Sequence, residues 1–155
     1  MNFHTKIILH PTDFSKNAMN ALRYAGDLLQ VKDARLVLLH VNEILQGSHK
    51  EKGPGVQEKI EDSEKELTIR MEAYLKECLG TIPLATVPEI QIRQHHSPYQ
   101  AIQDAIVQLD PYMVVMGKRG RSAIKTSDLG SITRHLIEKI QCPLLVVPPD
   151  STSPL

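Results

Sequence analysis

The 155-residue sequence has no tryptophan and few other aromatic residues, four tyrosines and two phenylalanines. It has only two cysteines, Cys78 and Cys142, which lie far apart and form no C-x-x-C pair. Neither a disulfide framework nor a cysteine zinc site is therefore expected. Seven histidines are present, but none forms an H-x3-H or HExxH pair, so we predict no protein-built metal site.

The sequence also lacks net charge and long apolar runs. Eighteen Lys and Arg residues balance eighteen Asp and Glu residues, so the chain has no strong positive field of the kind that nucleic-acid-binding domains use. No apolar stretch approaches the roughly 18 residues of a membrane span, and the first residues include no signal-peptide core. We expect a cytoplasmic protein that binds neither nucleic acid nor a membrane.

Short apolar runs alternate with segments of helical periodicity along the chain. Ser15 can cap the first helix, and Ser97 with Pro98 can start the third. Five strands and four helices in strict alternation predict an open, doubly wound α/β sheet. We expect one domain over residues 1–149 and a disordered tail at 150–155. The predicted strands are 7–9, 36–41, 89–93, 112–116 and 144–147; the second and fourth helices cover about 57–79 and 132–140.

The most informative stretch follows the fourth apolar run. Gly117 and Gly120 come directly after it, and Gly130 precedes Ser131 at the start of the fourth helix. Glycine lets the backbone approach a ligand closely, and free N–H groups at a helix start attract anions. The spacing G-x2-G-x9-G-S is neither a Walker loop nor the GxGxxG of dinucleotide folds. It predicts a phosphate-binding loop.

This spacing resembles the nucleotide-binding signature of the universal stress protein family, G-x2-G-x9-G-[ST]. Pro11-Thr12-Asp13, Ser97-Pro98 and Cys142-Pro143 agree with the family in order, so the resemblance covers residues 4–148. It implies a Rossmann-like, adenine nucleotide alpha-hydrolase-like fold whose parallel strands have the order 3-2-1-4-5. It also implies a crevice between strands one and four, across which Asp13 and Gly117 face each other.

The resemblance further implies ATP as the ligand, with Mg²⁺ carried by the nucleotide. The glycine loop and the backbone of Ile132 would hold the phosphates, Asp13 would lie beside the sugar and phosphates, and Val41 would contact adenine. The expected nucleotide-binding set is Pro11, Thr12, Asp13, Val41, Met116, Gly117, Lys118, Arg119, Gly120, Gly130, Ser131 and Ile132.

Several of these residues also have an ordinary structural interpretation. Asp13 can cap the first helix and Ser131 the fourth, while Met116 can simply fill the core. Lys118 and Arg119 can be solvated surface cations.

Three functions are consistent with these observations. The first is an ATP-binding universal stress protein, a nucleotide-sensing regulatory or protective protein in which nucleotide orders residues 118–129 and so affects unidentified protein partners. The second is an ATP-hydrolysing or adenylate-transferring enzyme, disfavoured because residues 11–15 replace the SGGxDS-like loop of the related hydrolases and no nucleophile or base is evident. The third is a nucleotide-free member acting through protein contacts. It is favoured by Asp128, whose carboxylate would repel a triphosphate unless Mg²⁺ bridges them, and disfavoured by the intact glycine pattern. We expect a binding protein rather than an enzyme.

The last predicted strand, 144–147, is wholly apolar. In the implied order it lies at a sheet edge, and an exposed apolar edge promotes aggregation unless it is covered. The resemblance implies antiparallel pairing of this strand with its symmetry mate, which predicts a homodimer.

Overall fold

The computed structural model describes residues 5–31, 33–44, 54–120 and 129–149. Within them, five strands and four helices alternate, and the strands form one parallel sheet of order β3-β2-β1-β4-β5. This confirms the predicted fold. Asp128 and the predicted disordered tail lie outside the described residues. The elements are β1 (Lys6–Thr12), α1 (Lys16–Val31), β2 (Ala34–Glu43), α2 (Pro54–Leu79), β3 (Glu89–His95), α3 (Pro98–Leu109), β4 (Met113–Gly117), α4 (Ser131–Lys139) and β5 (Leu144–Val147).

Both faces of the sheet are buried. In β2, Leu36 and Leu38 belong to the core that includes residues of α1 and α2, whereas Val37 and Leu39 belong to the core that includes residues of α3 and α4. Successive side chains of a strand point to opposite faces, so a strand covered on both faces reads as a continuous apolar run. Burial of each such leucine contributes about 2 kcal/mol.

Several elements extend beyond their predicted limits, and β2 does so at both ends, covering Ala34–Glu43. β1 continues past Leu9 to Thr12, because its pairing with β2 runs on to Thr12 and His40. Pro11 has no N–H to donate. It is tolerated in β1 because the ladder with β4 has already ended at Leu9, so this side of the strand resembles a sheet edge. α2 begins at Pro54, and β3 continues to His95.

The strands separate where a ligand crevice is expected. The ladder between β1 and β4 ends at Leu9 and Val114, although both strands continue toward their carboxyl ends. Strand order reverses between β1 and β4, which is the usual ligand position in such sheets. In the part of the chain that the structure describes, no helix is long and apolar enough to cross a membrane.

Candidate functional site

A cavity of about 450 Å³ opens at the carboxyl ends of β1, β2 and β4. This volume falls in the range of small-molecule sites. Eleven of the twelve residues expected from the sequence line it; Lys118 does not. The other lining residues are Ala18, Leu39, His40, Asn42, Glu43, Pro98, Ile102 and Thr133.

The turn from β1 to α1 fixes Asp13 at the cavity wall. Its Oδ1 accepts a hydrogen bond from the Ser15 N–H at 2.9 Å, and Thr12 Oγ1 accepts one from the Phe14 N–H at 3.0 Å. These two bonds hold Phe14 in the left-handed region, with φ of 62°. Ser15 Oγ accepts the Ala18 N–H at 3.2 Å, so Ser15 caps α1 as predicted. Asp13 therefore shapes the turn before α1 through its bond to the Ser15 N–H, and it also lies on the cavity wall.

Two glycines of the loop lie close to neighbouring groups. A Cβ on Gly120 would lie 2.5 Å from Asp13 Oδ2, so any other residue would displace that carboxylate from its position. A Cβ on Gly117 would lie 3.1 Å from the backbone oxygens of Asn17 and Arg119. Asp13 and Gly117 both line the cavity, but the loop residue against the Asp13 carboxylate is Gly120.

The start of α4 differs from the sequence expectation. Its N-cap is Gly130, not Ser131, and no side chain caps it among the described residues. Ser131 is the first helical residue, because the first bond of the helix runs from the Arg134 N–H to the Gly130 carbonyl. The N–H groups of residues 131–133 thus have no helical acceptor. These residues line the cavity, where the helix N-terminus carries partial positive charge.

Of the adjacent cations Lys118 and Arg119, Arg119 is the one whose residue lines the cavity. Arg119 lines the wall, and its buried Nε has no hydrogen-bond partner among the described residues. A buried, unsatisfied donor on a cation is costly unless an acceptor binds it. The Lys118 N–H donates to the Val147 carbonyl at 2.8 Å, and the Lys118 carbonyl accepts the Gly130 N–H at 2.9 Å.

Apolar residues of β2 and α3 also line the cavity, together with the polar residues His40, Asn42 and Glu43 of β2. β2 contributes Leu39 and Val41, and α3 contributes Pro98 and Ile102. Ser97 caps α3 as predicted, its Oγ accepting the Gln100 N–H at 3.3 Å, so the position of Pro98 is set by the helix start. No motif in the sequence marks Pro98 and Ile102 as site residues. Their place at the start of the helix that follows β3 is the signal for them, because ligands of such sheets bind beyond the carboxyl ends of the strands.

Two buried histidines lie in the strands that line the cavity, His10 in β1 and His40 in β2. Since a carbonyl only accepts, the His10 Nδ1–H donates to the Val115 carbonyl at 2.8 Å, and Nε2 lies 3.4 Å from the Tyr74 hydroxyl. Burial lowers the pKa of His10 to about 4, outweighing the Val115 bond and the Asp13 charge, which raise it. Burial also raises the pKa of Tyr74. His40 Nδ1–H donates to the Thr12 carbonyl at 2.9 Å.

Comparison with known proteins decides the family. The model of the universal stress protein family matches residues 4–148. The chain belongs to the universal stress protein family.

Related proteins share both sequence and fold with this universal stress protein. Universal stress protein MJ0577 of Methanocaldococcus jannaschii is 27% identical over 161 residues, covering 95% of this chain and 97% of its own. The solved structure of MJ0577 matches with a TM-score of 0.72 at 28% identity, covering 96% and 99%. An uncharacterized protein of Schizosaccharomyces pombe, C167.05, is 27% identical over 134 residues, 86% of this chain, but this chain spans only 22% of its length. A universal stress protein of Archaeoglobus fulgidus, solved in complex with dAMP, shares the fold with a TM-score of 0.58 at 21% identity, covering 92% and 97%.

The cavity of this universal stress protein offers groups for binding an anion. Its titratable lining residues, within the described ranges, are Asp13, His40, Glu43 and Arg119. Asp13 and His40 already hydrogen-bond the backbone. No group of three or more metal-ligating side chains occurs among residues 5–31, 33–44, 54–120 and 129–149.

Proposed function

We propose that the protein binds an adenine nucleotide, ATP, in this cavity and acts as a nucleotide-sensing regulatory or protective protein. The observation that carries the proposal is the proximity of the start of α4 to Arg119, because among the described residues no side chain caps that helix start and nothing bonds Arg119 Nε. Both attract a phosphate group, which supplies charged acceptor oxygens. The dAMP complex of the Archaeoglobus fulgidus protein supports the choice of an adenine nucleotide.

The lining residues support one orientation of the nucleotide. We propose that the apolar side chains of Val41 and Ile102 contact the flat aromatic base and that the glycine loop holds the phosphates. Asp13 lies beside Gly120 of the loop, and we propose that it meets the sugar and the first phosphate. Pro11, Thr12 and Met116 also line the cavity.

The carboxylate that the cavity offers near the loop fits Mg²⁺ only when the phosphates of the nucleotide also bind the ion. Asp13 is the one carboxylate beside the loop within the described residues, and a Mg²⁺ site usually combines one or two carboxylates with substrate phosphates and water. The ion would offset the repulsion between that carboxylate and the phosphates. Asp13 is thus its proposed protein ligand.

We propose binding rather than turnover as the working mechanism. No cavity residue is assigned as a general base, and enzymes without one lose a factor of about 10²–10⁴ in rate. A nucleotide that binds one conformation better than another shifts the population toward it, which a partner protein can sense. We place the protein in the cytoplasm, in keeping with its two free thiols, Cys78 and Cys142.

Addition of Mg-ATP should raise the melting temperature of the purified protein. A ligand that binds only the native state at a hundredfold excess over Kd adds about 2.7 kcal/mol. For a domain of this size, that corresponds to a shift of roughly 5–11 °C. Differential scanning fluorimetry measures the shift, with magnesium and tripolyphosphate as the control for general anion effects. An unchanged melting temperature at millimolar Mg-ATP would contradict the proposed function.

We also propose the homodimer through β5. β5 pairs with β4 on one side, and in a single chain Leu144, Leu145 and Val146 remain only partly buried. A short apolar edge strand in this state is a template for pairing with a second copy.

Val146→Lys should convert the dimer into monomers or insoluble protein. Pairing across the two-fold axis would bring two ammonium groups into an apolar contact, at a cost of several kcal/mol. Light scattering at micromolar concentration measures the mass, and Val107→Lys, at a position 77% exposed on α3, is the matched control. A monomeric wild-type protein would show that β5 is not the interface.

A further inference from the structure

Thr133 has a buried hydroxyl at the start of α4. Its Oγ1–H donates to the Gly117 carbonyl at 3.1 Å, and the residue is only 2% exposed. On the other side of the same peptide, the Lys118 N–H donates to the Val147 carbonyl at 2.8 Å. The Gly117–Lys118 peptide is therefore held at both ends, its carbonyl by α4 and its N–H by β5.

This peptide begins the glycine loop. Its orientation decides whether the loop directs a carbonyl oxygen or an N–H group toward the crevice. The next carbonyl, that of Lys118, is also held by α4, through the Gly130 N–H at 2.9 Å. Carbonyl oxygens carry partial negative charge and would repel a phosphate if they faced it. With both oxygens directed to α4, the donors that the described residues offer an anion include Arg119 Nε and the N–H groups of residues 131–133.

We infer that Thr133 is a positioning residue that sets the polarity of the phosphate-binding loop by fixing the Gly117 carbonyl. The inference rests on the proposed function, because it concerns the phosphate end of the same site. Without the hydroxyl, the buried carbonyl loses its partner, and rotation of the peptide toward the crevice becomes its route to another donor. Loss of the hydroxyl is therefore expected to weaken binding of ligands that carry phosphates and to leave contacts with the base unchanged.

The test compares ATP with adenosine in Thr133→Val, which keeps the shape of the side chain and removes its donor. Calorimetric titration should show binding of ATP weakened about tenfold, in line with the loss of one buried hydrogen bond, and binding of adenosine changed by less than about twofold. Thr133→Ser, which keeps the donor, should restore ATP binding. Thr68→Val is the matched control, because the Thr68 hydroxyl donates to the Glu64 carbonyl in the same way on the exposed side of α2.

The outcomes separate this inference from the proposed function. Equal ATP affinity in wild type and Thr133→Val, or an equal loss for ATP and adenosine, would overturn the positioning role alone. Failure of Thr133→Ser to recover ATP binding would do the same. If the wild-type protein binds neither ligand, both the proposed function and the positioning role are wrong. Thr133→Ala, which cannot crowd the helix start, replaces Thr133→Val if that variant does not fold.

Discussion

Gly130→Glu is expected to abolish the thermal stabilisation by Mg-ATP, a loss of the full shift of roughly 5–11 °C. The Cβ of the new side chain would point at the loop, 3.3 Å from the Arg119 Cα and 3.4 Å from the Gly120 nitrogen. The carboxylate would then compete with phosphate for Arg119 and for the start of α4, and would repel it. Differential scanning fluorimetry with and without nucleotide measures the result.

The variant should still fold. Gly130 has φ of −59° and ψ of 148°, which any residue can adopt, and the contacts of the added Cβ require shifts of only a few tenths of an ångström. Gly117→Val is the poorer test, because its Cβ would meet backbone atoms of Asn17 at 3.1 Å. Val107→Glu adds the same charge on the surface of α3 and should leave the nucleotide response intact. A folded Gly130→Glu protein with the wild-type shift would exclude the loop as the phosphate site.

His10 should make the free energy of unfolding strongly dependent on pH between 6.5 and 4. The folded-state pKa is lowered to about 4 from 6.5, so in this window the unfolded chain binds more protons than the folded one. Stability linked to His10 is then complete above pH 6.5 and is lost progressively as the pH falls toward 4. The total loss is about 3 kcal/mol.

His10→Gln should remove this component of the pH dependence. The glutamine amide does not titrate, and it can still donate to the Val115 carbonyl. Urea unfolding of both proteins at pH 7 and pH 4 gives four free energies of unfolding. The fall in this free energy from pH 7 to pH 4 should be smaller by about 3 kcal/mol in the variant than in the wild type. His96→Gln, at an exposed histidine, is the control. If the free energy of unfolding falls by the same amount from pH 7 to pH 4 in the wild type and in His10→Gln, this pH dependence does not come from His10.

The order of elements could be predicted from the sequence because each buried strand is a continuous apolar run between amphipathic helices. Leu144–Val147 was predicted to the residue, since prolines flank it. The extension of β1 through Pro11 could not be predicted, because it depends on where β4 diverges, and this is a property of the sheet. The residue at which a strand ends beside a crevice therefore depends on its neighbouring strands and not on its own sequence pattern.

The candidate site was predicted unevenly for similar reasons. The spacing of the glycines located the loop, but it did not distinguish Lys118 from Arg119, and of these two described residues only Arg119 lines the cavity. Ser131 was a reasonable cap by residue type, yet the backbone places Gly130 at the cap position. Thr133 gave no signal in the sequence analysis, because the partner of its hydroxyl, Gly117, is distant in sequence and reaches it only in the folded chain.

Calorimetric titration of the wild-type protein with Mg-ATP tests the central claim most directly, because it measures occupancy of the cavity without a variant. The account predicts saturable binding with one nucleotide per chain, and prior addition of dAMP should weaken the apparent affinity for ATP by competing for the base end. Absence of heat and of saturation at millimolar ATP, with folded protein in the cell, would contradict the claim.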